Sequence, residues 1–268
     1  MLKVTGGRSG KGRAPRTINL CFTVLSMALD SAVKQRLLPF NPADSDHVER
    51  MEQKRPRFGS WTPEQVTTFM AQVAEDRYTA AWRLTFCGLR RSEALGLTWD
   101  AVDLDAGTVT IRQSRTARRG KQDDLPRTIV GDPKTDNGER IIPIPPEAVD
   151  ALRAYRKVQQ RERLALGRPL RETDFVVVDE GGRPVSPEWY SAMFREHRDA
   201  AGLPAIRLHD ARRTAATLLH TEYDVPADAA ASYLGHDPVT YHRTYVVGET
   251  GHDKVRDALR RMQTGTDG

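Results

Sequence analysis

In "LHDARRTAATLL", His209 and Arg212 stand three residues apart and so share a helical face near its N-terminus, where backbone N–H groups already favour an anion. A phosphate would suit that pair. Alone the pattern is weak: seven histidines in an arginine-rich chain yield roughly one such match by chance, and His47 with Arg50 is another. A second segment, "GLRRSE", places Arg90 after a Gly-Leu bend, with Glu93 three residues on and able to hold the guanidinium from the same helix. Two arginines from distant segments could clamp one phosphate, because the guanidinium fork binds its oxygens bidentately and stays charged at any working pH. "PKTDNGER" adds Lys134, three residues before Asn137-Gly138, on a segment that can reach out from a rigid ladder. In "LGHDPVTYHRTYVV", Asp237 and Pro238 read as N-cap and first helical residue, which puts His236 at the helix mouth and Tyr241 and Tyr245 on one face. Each of these also has an ordinary reading: a surface Arg-Glu pair, an edge-strand lysine, a pair of core tyrosines.

These residues need a scaffold, and the chain is long enough for one. Its 268 residues, 38% hydrophobic and 29% charged, suit a soluble globular protein of one or two domains. No run reaches the length of a membrane span and the N-terminus lacks the apolar core of a signal peptide, so a cytoplasmic protein is expected. Cys21 and Cys87 are too few and too far apart for a disulfide framework or a zinc site, and read as reduced core or near-core residues. The net charge of +5 is concentrated at the front: residues 1–57 hold eleven Lys/Arg against five Asp/Glu. A second basic cluster, Arg112, Arg115, Arg118, Arg119, Lys121 and Arg127, reads as a phosphate track or a solvated arm.

Residues 1–15 are Gly-rich and basic and are expected to be mobile off DNA. Helical spacing of Leu20, Val24, Met27, Ala28 and Val33 predicts an amphipathic helix over 17–38. A polar linker follows, and "SWTPEQVTTF" opens a helix with Thr62 as N-cap, Pro63 at its first position and Gln65 completing a capping box. Further helices are expected at 78–86, within "GLRRSEALGLTW" after its turn, from Pro146 to about Leu166, from Pro187 to Gly202, and at 209–221, 226–234 and 238–246, with a last one from about 252. Between them, "GTVTIRQ" alternates like a strand, Asn137-Gly138 marks a hairpin and "DFVVVDEGGRPVS" reads as a short strand and turn.

Taken together, "GLRRSE", "PKTDNGER", "HDARRTAATLL" and "LGH" followed nine residues later by Tyr resemble, in order, the motifs of the tyrosine recombinases, or phage-type integrases. The resemblance covers about residues 17–250. It implies a mainly α fold with a small antiparallel β-sheet (α+β), with residues 59–268 as the catalytic domain. Residues 1–58 are then a basic tail, a partial helical core-site DNA-binding region and a linker. Only the closing helix of that region is recognisable, so the N-terminal half of the DNA clamp is expected to be missing.

The resemblance also implies a site and a reaction. Arg90 and Arg212 match the phosphate-clamping arginines, Lys134 the hairpin lysine, His209 and His236 the pocket histidines, Glu93 the supporting acid and Tyr245 the nucleophile. Val247 and Cys87 depart from the family pattern, which often has His and Thr there. The implied chemistry is attack of Tyr245 on a phosphodiester of double-stranded DNA, giving a 3′-phosphotyrosyl link and a 5′-hydroxyl that rejoins a partner strand. Tyrosine of pKa about 10 is only about a thousandth ionised at pH 7 and needs help worth about 4 kcal/mol. By resemblance His209 takes that proton and Lys134 protonates the leaving oxygen, while Arg90, Arg212 and His236 stabilise the phosphorane. No metal ion and no cofactor are expected. The partners implied are DNA attachment sites and further copies of the chain, a tetramer exchanging C-terminal helices. Two alternatives stay open: an inactive remnant that only binds DNA, and type IB topoisomerase-like strand relaxation.

Overall fold

A computed structural model describes residues 13–44, 47–52, 59–117, 128–131, 140–235 and 241. The chain divides into two compact units, Met1–Arg57 and Phe58–Gly268.

The first unit is built on helix α1, Pro15–Lys34, which starts with Pro at its first position and ends as Arg36 turns to a φ of 60°. Two asparagines fold the following chain back on it. Asn41 donates to the Ser26 carbonyl and to Asp30 Oδ1 at 3.1 and 2.7 Å, and Asn19 exchanges hydrogen bonds with the backbone of Met51. The expected apolar stripe is not buried: Leu20, Val24, Met27 and Ala28 are exposed and only Val33 is half-buried. Cys21 is exposed as well, correcting its core reading, whereas burial around the half-covered Cys87 pushes its thiol up to about 12.

In the second unit helix α2, Pro63–Gln72, carries the expected capping box between Thr62 and Gln65. It is followed by α3, Thr79–Phe86, and α4, Arg91–Gly96. Strands β1, Val102–Asp103, and β2, Thr108–Ile111, form an antiparallel sheet with β5, Arg140–Pro143, in the order β1-β2-β5. A separate ribbon pairs β3, Ser114–Ala117, with β4, Thr128–Gly131. This ribbon overturns the surface-arm reading for one member of the basic cluster. Arg115 is buried, donates to the carbonyls of Val185 and Pro184, and lies over the Phe175 ring. Its neighbour Arg112 stays exposed near Asp100.

Helices α5, Pro146–Ala165, α6, Pro187–Ala200, α7, Leu208–Thr221, and α8, Ala227–Leu234, complete the described unit. The strand and turn expected in "DFVVVDEGGRPVS" are reduced to isolated bridges, Thr98 to Phe175 and Val178 to Pro184, with backbone hydrogen bonds to Leu97 on one side and to residues 183–185 on the other. Residues 1–12 of the basic tail, the Asn137-Gly138 turn, the last helix and all of 238–246 except Tyr241 lie outside the described residues. No helix among the described residues is long and apolar enough to cross a membrane.

An aromatic core holds α2, α3, α6 and α7 in register. Trp61, Phe69, Trp82, Tyr190 and Phe194 are all fully buried, with Trp82 and Tyr190 stacked at 4.3 Å. Such pairs contribute about 0.5–1.5 kcal/mol beyond the area they bury. Polar ties fix the orientation: the Trp61 backbone N–H donates to Thr214 Oγ1 on α7, and Thr85 on α3 is hydrogen-bonded to Tyr190 on α6. The N-termini of α4 and α7 are thereby brought to one side of the core.

Candidate active site

Two helix starts share one local device. At α4 the carboxylate of Glu93 accepts from the backbone N–H of Arg90 at 2.8 Å, and at α7 Asp210 accepts from that of Arg207 at 2.9 Å. Each acid also binds the side chain of its own N-cap arginine, at 2.6 and 2.9 Å. An acid three residues into a helix satisfies an orphan donor and complements the positive helix end. In this chain it also orients a guanidinium.

Glu93 does more than cap. It is buried and takes both terminal nitrogens of Arg140, at 3.1 and 2.9 Å, in addition to Arg90. Arg212 Nη1 stands 3.6 Å away. The same three arginines cap the C-terminus of α8, each on a different carbonyl: Arg140 donates to Tyr233, Arg212 to Leu234 and Arg90 to Gly235. The last carbonyls of a helix sit at its negative end, so cations belong there. Arg212 further donates to the Gly88 carbonyl at 2.7 Å and is buried. Gly88 has a φ of 88° and a Cβ there would lie 2.3 Å from Leu234, so the bend before Arg90 requires glycine.

Of the residues singled out in the sequence, the structure therefore brings Arg90, Glu93 and Arg212 into direct contact or within 3.6 Å. His209, in the first turn of α7, opens to solvent beside them. Partial burial lowers its pKa, as do the charges of Arg212, Arg207 and Arg90, with Asp210 opposing. Both effects favour the neutral imidazole, the form that can accept a proton. Lys134, His236 and Tyr245 lie outside the described residues. Tyr241 is fully buried, with its hydroxyl donating to the Ala216 carbonyl at 2.9 Å, and is a core residue.

Arg140 was not singled out by its residue type or spacing, yet its side chain is nearly as covered as that of Glu93. A signal existed. On β5 Ile142 is buried and Ile141 is exposed, so alternation sets Arg140 on the inward face, and it pairs across the ladder with the buried Ile111. An arginine at an inward strand position demands an anionic partner.

Burial alone would raise the pKa of Glu93. The hydrogen bonds from Arg140 and the charges of Arg140, Arg212 and Arg90 outweigh it and bring the carboxyl down to about 2. Because the folded-state value lies below the unfolded one, ionised Glu93 contributes stability that is fully present above about pH 4.5 and is lost as pH falls towards 2. Glu93→Gln is expected to lower unfolding free energy by about 3 kcal/mol at pH 7. The gap to the parent should narrow below about pH 4.5, read by denaturant unfolding across that range.

Next to this cluster runs an open groove of about 650 Å³, walled by Arg90, Arg91, Arg195, Arg198, Arg207 and His209. Five arginines along one groove suit a polyanion. Besides Arg90 and Arg207, held by Glu93 and Asp210, Arg91 donates to Ser191 Oγ and Arg198 to the Ile206 carbonyl.

Comparison with known proteins places this geometry. The chain is 26% identical to a XerC-like tyrosine recombinase of Caldanaerobacter subterraneus subsp. tengcongensis over 244 residues, covering 86% of this chain and 61% of that protein. It is 27% identical to the ICEBs1 integrase of Bacillus subtilis, covering 78% and 55%, and 23% identical to the integrase of Mycobacterium phage L5, covering 95% and 65%. The chain thus spans about 55–65% of the length of these curated relatives. Among solved structures it superposes on the Tn1549 transposon integrase in complex with transposon right end DNA at a TM-score of 0.76, with 20% identity over 96% of this chain and 82% of that one. The XerA recombinase gives 0.54, with 18% identity over 82% and 69%. These likenesses speak for the fold, α+β with small antiparallel sheets. Residues 60–250 match the model of the phage integrase family, and the chain belongs to that family of tyrosine recombinases.

Proposed function

We propose that this chain is a site-specific DNA recombinase that cuts and rejoins strands of double-stranded DNA through a 3′-phosphotyrosyl intermediate on Tyr245. The observation that carries the reading is the cluster in which Glu93 fixes Arg90, and the carbonyls of Gly88 and of the end of α8 fix Arg212 and Arg90, beside His209. Two guanidiniums held in advance stabilise charge on a pentacoordinate phosphorus without reorganising during the step. In this reading His209 accepts the proton of Tyr245 as the phosphorus–oxygen bond forms. Lys134 gives a proton to the departing 5′-oxygen, and His236 shares the phosphorane charge with the arginines. Phosphodiester is exchanged for phosphodiester, so no nucleotide is consumed.

Residues 59–268 are then the catalytic domain, and residues 1–58 the basic tail, core-site-binding helix and linker, acting in the cytoplasm where chromosomal DNA lies. The basic groove takes the duplex backbone, so affinity should fall steeply with salt. Recombination needs several copies on DNA, and the proposed assembly is a tetramer that exchanges C-terminal helices. A groove of about 510 Å³ supports it: Val66, Phe86, Leu218, Leu219 and Val225 offer an apolar bed among α2, α3, α7 and α8. An amphipathic helix such as the one expected from about 252, with Val255, Leu259 and Met262 on one side, fits such a bed.

The test is covalent capture of nicked duplexes from a random-sequence pool, followed by denaturing electrophoresis and mapping of the adduct peptide. A 3′-phosphotyrosine at Tyr245 is expected. Binding without any adduct would replace this reading with a DNA-binding remnant, and relaxation of supercoils without strand exchange would favour a topoisomerase.

A further inference from the structure

We infer that Arg140 is a positioning residue for strand cleavage: by filling Glu93 it keeps that carboxylate from drawing Arg212 away from the scissile phosphate. The inference rests on the strand-cleavage reading above. A carboxylate offers about four lone-pair sites. On Glu93 they are met by the Arg90 backbone N–H at 2.8 Å, Arg90 Nη1 at 2.6 Å and the two Arg140 nitrogens at 3.1 and 2.9 Å. Arg212, at 3.6 Å, is close enough to feel the charge and just too far to be hydrogen-bonded by it.

Removing Arg140 would leave Glu93 buried with an unmet side, and Arg212 is the nearest cation able to fill it. A shift of less than 1 Å would suffice to close that contact. Arg140 has a second hold on the same geometry. Its Nε donates to the Tyr233 carbonyl, and a Cβ on Gly235 would lie 3.0 Å from its guanidinium, so the end of α8 is packed directly against it. Its guanidinium stays protonated at any working pH and is already engaged by Glu93 and the Tyr233 carbonyl, so its role is neither attack nor proton transfer. Lysine cannot replace this arginine fully, because one ammonium does not span both carboxylate oxygens.

Arg140→Met, Arg140→Lys and the double variant Arg140→Met/Glu93→Gln distinguish this role from bulk structural support. The measurement is single-turnover adduct formation at saturating DNA on a captured nicked duplex, together with the dissociation constant for the uncut duplex. Arg140→Met is expected to cleave about 30-fold or more slowly with DNA affinity within about threefold, since misplacing a reacting group by about 1 Å can cost about a hundredfold. Neutralising Glu93 in that background should restore at least about tenfold, because nothing is then left to capture Arg212. Arg140→Lys should fall between parent and Met, and it carries the test should the Met variant lose cooperative melting, again with rescue by Glu93→Gln. An Arg140 variant that cleaves within about threefold of the parent, or a Glu93→Gln addition that slows it further, would overturn the inference. A parent chain that forms no adduct would overturn the strand-cleavage reading itself, and the inference with it.

Discussion

Tyr245→Phe is expected to abolish covalent attachment to DNA while leaving binding within about twofold, since only the attacking oxygen is removed. Tyr241→Phe should do the opposite. Its hydroxyl is buried against the Ala216 carbonyl among Ala216, Ala230, Ala231 and Leu234, so its loss should lower stability by about 1–2 kcal/mol and leave adduct formation intact. Adduct yield on a nicked duplex and a denaturant melt of both variants read the two effects. Loss of the adduct in Tyr241→Phe with full activity in Tyr245→Phe would reverse the assignment. The contrast is sharp because the two side chains stand four residues apart and differ in chemistry by position alone.

Arg212→Lys is the second large effect. Arg212 is buried and reaches the Gly88 carbonyl on one side and the Leu234 carbonyl on another, with Glu93 at 3.6 Å. A lysine ammonium can reach one of these carbonyls and lacks the planar fork that offers a phosphate two parallel donors. Cleavage at saturating DNA should fall by about a hundredfold or more, the loss typical when a preorganised donor to a developing oxyanion is removed. Affinity for uncut DNA, spread over many groove arginines, should change little. A single-turnover rate within about threefold of the parent would count against a bidentate clamp.

Helix positions in the second unit were legible because the signals were local. Thr62-Pro63 with Gln65 and Ser186-Pro187 specify helix starts through side-chain caps, and the Pro145-Pro146 pair through proline's fixed backbone angle, all acting within four residues. The partnership of Arg90 with Glu93 was legible for the same reason. Burial was not: α1 has a helical apolar stripe, but a stripe states only which side seeks cover, and Leu20, Val24 and Met27 stay exposed. Arg115 stood among basic residues in the sequence and proved to be a core residue, because the β3-β4 ribbon turns it towards carbonyls some seventy residues away.

By itself the sequence determined which groups are present and in what local frame: an arginine with its acid at the start of α4, His209 and Arg212 on one face of α7, and the ordered motifs of the family. Only the tertiary structure decided that one carboxylate serves three arginines, that these arginines cap three successive carbonyls at the end of α8, and that Arg140 is among them. The physical reason is range. Capping and helical periodicity act over about four residues, whereas the charge balance around a buried carboxylate is set by whichever cations the packed core brings within about 4 Å, however distant they are along the chain.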